Sequence, residues 1–164
     1  MTEHTIREIT LDAPQVQRLI SIAERWTLIS RLASEINAMC DIKWEPLLLK
    51  TRDDTHRGVM RLLSLVHGAG PDANTLDLEQ MSSSPVAPLV FGQTEAEQIG
   101  ELARRAMLAS KLLRPLLRQF PEESRMWWDA RKVVDRLDFD GRELLGYVGL
   151  VDPDRATGIL AQLD

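Results

Sequence analysis

Apolar residues recur at spacings of three and four along most of this chain, with polar residues between them. The clearest case is Thr94 to Phe120, where Ile99, Leu102, Ala106, Ala109, Leu113, Leu116 and Phe120 fall in that rhythm. Such spacing lines one face of a helix, and that face must be buried. Thr94 followed by Glu97 fits a capping box at the start, and Pro121 marks the stop. Pro115 removes a backbone donor and clashes with the turn before it, at roughly 3 kcal/mol, so a kink or a short second helix is expected there.

The same rhythm in Leu19, Ile22, Trp26, Ile29, Ala33, Ile36 and Cys40 predicts a helix over about 13–40, opened by Asp12 and Pro14. Leu28, Leu32 and Met39 widen its apolar face, which marks it as a central helix and the natural antiparallel partner of 94–120. Residues 1–12 read as an N-terminal arm or short strand. Trp44, Pro46 and three leucines read as a corner with a helical turn. Val59, Leu62, Leu63 and Val66 mark a helix over about 52–67, closed by Gly68 and Gly70. The rhythm stops over 68–93, a Pro- and Gly-bearing loop with its own apolar patch from Val86 to Phe91. Connections that long are usually functional or disordered.

After Pro121, Glu122 and Glu123 suit the start of a helix to about Asp138 with Met126, Ala130, Val133 and Leu137 on its inner stripe. Trp128 faces the other way. Asp140 with Glu143 fits a second capping box, and Asp152-Pro153 opens a last short helix. The prediction is an all-α bundle of five to seven helices over 13–164 as a single domain, with 13–40 and 94–120 at its centre. No repeat of 20 to 50 residues is visible.

Composition narrows the function classes. A chain of 164 residues can bury a core without staples, and a net charge of -5 argues against a general nucleic-acid binder. With Cys40 as the one cysteine there is no intrachain disulfide and no cysteine-built zinc site, so a reducing, cytoplasmic setting is expected. The opening residues have no apolar run behind positive charge, and no stretch of about 18 apolar residues occurs, so neither signal peptide nor membrane span is expected.

Catalytic constellations are missing. His56 and His67 share a side of their helix but lie about 16 Å apart along it, too far for one metal ion. Asp138-Phe139-Asp140-Gly141 resembles part of a calcium loop, but the register puts Arg136 first and Tyr147 twelfth, where carboxylates are needed. Glycine-rich phosphate loops and the hydrolase elbow are absent. Asp53 and Asp54 suit a helix start, and Cys40 on an apolar face suits an inert thiol. No cofactor, metal or catalytic residue is expected.

The cations and outward aromatics remain. Arg104, Lys111, Arg114 and Arg118 form a basic stripe on the 94–120 helix; Trp128 stands with Arg125 and Lys132; Leu89 and Phe91 belong to the apolar loop patch. Trp127, Val133, Val134, the run Asp140 to Leu145 and Gly158-Ile159-Leu160 have apolar spacing that resembles sterile-alpha-motif and death-fold modules, which implies an interaction role. The expected function is a non-catalytic interaction or regulatory module, such as an adaptor, immunity or chaperone-like protein, binding another protein or a second copy of itself. The alternative is a helical protein binding a small anionic or aromatic ligand in a pocket of Arg and Trp side chains.

Overall fold

Asp12 begins the first helix as expected: its carboxylate accepts from the Gln15 backbone N–H at 2.9 Å while the Gln15 side chain accepts from the Asp12 N–H at 2.9 Å. In the computed structural model, which describes residues 7–67 and 88–164, the order is β1 (Ile9–Leu11), α1 (Ala13–Met39), a 3-10 turn (Ile42–Trp44), α2 (Glu45–Val66), β2 (Leu89–Phe91), α3 (Gln93–Leu113), a 3-10 turn (Arg114–Gln119), α4 (Arg125–Val151) and α5 (Pro153–Leu163). It is an all-α bundle with one small two-stranded sheet.

Several boundaries differ from the sequence expectation, each for a local reason. Pro46 sits in the first turn of α2, where its missing N–H costs nothing, so the corner is shorter and the helix longer. Glu95, not Glu97, caps α3, accepting from the Gly92 N–H at 3.0 Å. Pro115 ends α3 at Leu113 and leaves a 3-10 turn, the interruption expected of it. Helix α4 runs unbroken from Arg125 to Val151. Asp140 and Glu143 therefore cap nothing, and the short C-terminal helices behind the interaction-module resemblance are one long helix and α5. Gly68, Gly70 and Val86 lie outside the described residues.

Each helix runs antiparallel to the next. Trp26 meets Gly58 and Ser30 meets Arg52 between α1 and α2; Asp54 meets Arg105 between α2 and α3; Met107 meets Gly141 between α3 and α4; and Arg25 of α1 meets Asp140 of α4. This is an up-down-up-down four-helix bundle with α5 folded back against α3 and α4. The most extensive packing is within the sequential hairpins α1–α2 and α3–α4. Helices 13–40 and 94–120 are therefore not an antiparallel pair: α1 and α3 stand diagonally and run parallel, because short connections pair sequential helices first.

The two halves repeat one plan, with strand and first helix at a constant offset. Ile9, Asp12 and Ala13 correspond to Leu89, Gly92 and Gln93, and both strands lead through a capped turn into a helix. The strands pair antiparallel with Ile9 opposite Phe91, Thr10 opposite Val90 and Leu11 opposite Leu89, a symmetric register centred on Thr10 and Val90. From matching positions on α1 and α3, Ser30 Oγ donates to the Arg52 carbonyl at 3.1 Å and Ser110 Oγ to the Val134 carbonyl at 2.6 Å. The Arg25–Asp140 pair between α1 and α4 has its counterpart in Arg105–Asp54 between α3 and α2. These correspondences describe a pseudo-two-fold axis along the bundle.

The core draws on both halves. Trp26, Ile29, Leu48, Leu62, Phe91, Ile99, Leu113, Leu137 and Leu144 are among its buried members. Two glycines allow close helix approach. A Cβ at Gly58 would lie 2.5 Å from Trp26 Cζ3, and one at Gly141 would lie 2.6 Å from Met107 Cγ and 3.2 Å from the Ala103 carbonyl oxygen.

Alanine normally favours a helix over glycine by about 1 kcal/mol. At Gly58 and Gly141 the clash outweighs that gain, and Gly→Ala at either is expected to destabilise by about 1–3 kcal/mol. A Cβ at Gly146 would meet nothing within 4 Å, so Gly146→Ala is expected to stabilise by up to ~1 kcal/mol. Urea unfolding of the three variants, compared by midpoint, checks the sign reversal.

Candidate functional site: the outer face of helix α4

Burial of one side of α4 decides what its other side offers. Ala130, Val133, Leu137, Asp140, Gly141, Leu144 and Val148 face inward. Trp128 and Phe139, about three turns apart, then share the outward side. Trp128 is 51% and Phe139 59% exposed. Between them lie Arg131, Lys132, Asp135 and Arg136, and together with Asp129 these residues line a shallow groove of about 530 Å³.

The aromatic groups are held rather than loose. Trp127 and Trp128 meet edge to face at 4.8 Å between centroids, and the Arg131 guanidinium lies 5.2 Å from the Trp127 ring and 5.8 Å from the Trp128 ring. Arg131 is oriented by Asp135 at 3.2 Å. Arg136 lies 5.9 Å over Phe139. Lys132 and Arg136 have no acidic partner among the described residues, so their charge faces outward. A second groove, between α1 and α4, continues from Phe139 to Arg18, Ser21, Arg25, Arg142 and Glu143.

The sequence candidates divide. Trp128 and Lys132 lie on this face, and Arg125 stands at the first turn of the same helix. The stripe does not hold together: Arg104 is bound to Glu101 at 2.6 Å, Lys111 Nζ donates to the Leu163 carbonyl at 2.6 Å, and Arg114 and Arg118 sit in the 3-10 turn beyond the end of α3. Phe91 is fully buried and Leu89 pairs with Leu11 in the sheet, while among the described residues of that apolar patch Val90 is exposed, at 51%. A strand alternates its side chains, which turns Phe91 inward. Phe139, Arg131 and Arg136 were not among the sequence candidates. Their signal was present, since Phe139 follows Trp128 by three turns, but a helix expected to end at about Asp138 hides that relation, whereas α4 continues through it.

Among the described residues no cluster of His, Cys, Asp or Glu could hold a metal ion. Burial, reinforced by the charge of Asp41, pushes the Cys40 thiol up, away from a reactive thiolate. Hydrogen bonds from Arg104, and then from Arg105, hold Glu101 down at about 2. No helix of the described residues is long and apolar enough to cross a membrane.

Asp140 is buried at 0% exposure and accepts from Arg25 Nη2 at 2.8 Å and Nε at 3.2 Å. Arg25→Ala strands that carboxylate and is expected to cost about 3 kcal/mol; Asp140→Asn leaves Arg25 room to reach solvent and costs less. Chemical denaturation of both variants checks the order. The lowered Glu101 value sets a pH dependence of definite sign. Its contribution is complete above the ordinary glutamate value of about 4.3 and is lost as pH falls through about 2. Because the side chain is 46% exposed, the stability gap between wild type and Glu101→Gln is expected to stay under ~1 kcal/mol at neutral pH and to close on acidification. Comparison with family models, with curated proteins and with solved structures finds no match to this chain.

Proposed function

We propose that this chain is a non-catalytic interaction module that docks another protein on the outer face of α4. The observation that carries the reading is the pair of half-exposed aromatic rings, Trp128 and Phe139, on one side of a helix whose opposite side is locked into the core. Aromatic and arginine side chains dominate the energetics of protein interfaces, and a rigid helix presents them at little entropic cost. Lys132 and Arg136 lie between the rings without acidic partners among the described residues, so a docking segment with apolar anchors and acidic flanks suits the face. Regulation by occupancy of this face is the corresponding biological role.

A second reading, a small anionic or aromatic ligand, is favoured by the α1–α4 groove, about 700 Å³ in volume and lined by Arg18, Arg25, Arg142 and Phe139. Thermal shift against a metabolite panel separates the two. A ligand that binds the folded state raises the melting temperature with concentration, and a protein-docking module shows no such response.

Trp128→Ala, alone and with Phe139→Ala, is expected to weaken partner binding about 30-fold or more, the ~2 kcal/mol typical of an interface hot spot, without lowering the melting temperature. Retention of partners from native extract on immobilised wild type and variant provides the measurement, with light scattering to detect self-association. Identical retention and identical mass for wild type and the double variant would overturn the proposal.

A further inference from the structure

Helix α4 exposes three large apolar side chains, Trp128, Phe139 and Leu150, at 51%, 59% and 52%. Phe139 stands midway between the other two in sequence. At 3.6 residues per turn the three keep within about 20° of one line along the helix, each about 16 Å from the next. Lys132 and Gly146, both exposed, fall on the same line at equal distances from Phe139. A two-fold axis through Phe139, perpendicular to the helix, carries Trp128 onto the place of Leu150 and returns Phe139 to itself. An isologous interface, in which one patch serves both partners, requires that property. A partner of different sequence imposes no such equality on the two intervals.

The charges beside the line obey the same symmetry. Projected down α4 at about 100° per residue, Arg136 and Glu143 stand on one flank of Phe139, and Asp135 and Arg142 on the other. When a second α4 lies antiparallel on this axis, each flank meets its own counterpart from the other copy. Arg136 then comes to Glu143 and Asp135 to Arg142, opposite charges in both cases, and the axis makes each contact occur twice. The groups are accessible in the single chain. Asp135 is 55% exposed beside Arg131, Arg142 is 61% exposed beside Asp138, and Glu143 has longer contacts, to Arg18 at 3.7 Å and Arg25 at 4.0 Å. Lys132 of one copy reaches the level of Gly146 of the other, where a Cβ would meet nothing within 4 Å, which leaves room for the lysine's methylene stem.

Resting on the docking face proposed above, we infer that its occupant is a second copy of this chain, with the two α4 helices antiparallel about a two-fold axis through Phe139. A contact confined to one helix face is at the small end of stable interfaces, so the dimer is reversible and depends on concentration.

Sedimentation velocity of the full chain, over a concentration series from about 1 µM to 1 mM, reads the assembly. A monomer–dimer equilibrium is expected, weakened about tenfold or more by Phe139→Ala. Asp135→Arg and Arg142→Asp each set like charges across the axis and are expected to weaken the dimer about fivefold or more, while combining them re-pairs the charges and restores it to within about threefold of wild type. Both positions are exposed, and unchanged melting temperatures under dilute, monomeric conditions show that these variants fold. A wild type that stays monomeric throughout overturns the inference, and so does a dimer indifferent to Phe139→Ala or one that the combined charge swap fails to rescue. If retention from native extract still falls when Trp128 and Phe139 are both changed to alanine, the docking reading survives with a different occupant; if retention is unchanged as well, both fall.

Discussion

A charged carboxylate with no exposed surface governs how this bundle is assembled. Asp140 lies on the inner side of α4 and can be there only because Arg25 reaches across from α1 with two hydrogen bonds. Burying either charge alone would be prohibitive, so the pair ties the rotation of α4 to the position of α1. With Asp140 and Gly141 turned inward, Trp128 and Phe139 must turn outward. The candidate docking face is a consequence of that lock.

The same logic appears twice. Each hairpin is held by broad apolar packing, with a serine hydroxyl donating across it and a glycine permitting close approach. The seams between hairpins are narrower and use an Arg–Asp pair apiece. Apolar packing is non-directional, so it brings the hairpins together without choosing their register. Charge pairs with defined hydrogen-bond geometry make that choice. The two seams are not identical, since Trp26 fills space on one side of the axis where Ala106 stands on the other.

Much of the fold was legible in the residues. The rhythm of Leu19, Ile22, Trp26 and Ile29 marked α1 to within a residue, Asp12 marked its start, and Pro115 marked the end of α3. Trp128 was legible as outward because its neighbours Ala130 and Val133 claim the inner stripe. Asp140 was misread. Followed by glycine and Glu143, it has the local form of a cap, and only the arrival of Arg25, distant in sequence, shows it to be a core residue. Phe139 was lost with it. The basic stripe is divided for a related reason: spacing aligns Arg104 and Lys111, but it cannot show that Arg104 pairs with Glu101 and that Lys111 donates to the Leu163 carbonyl.

By itself the sequence determined what depends on neighbours a few residues away: helical class, caps, proline stops, and the inner and outer sides of each helix. These follow from the 3.6-residue period and from backbone groups left unpaired at helix ends. Tertiary structure alone decided which helices are adjacent, that α1 and α3 run parallel across the bundle, and which charges are consumed by partners. Those outcomes rest on contacts between residues far apart in the chain, and local periodicity carries no record of them.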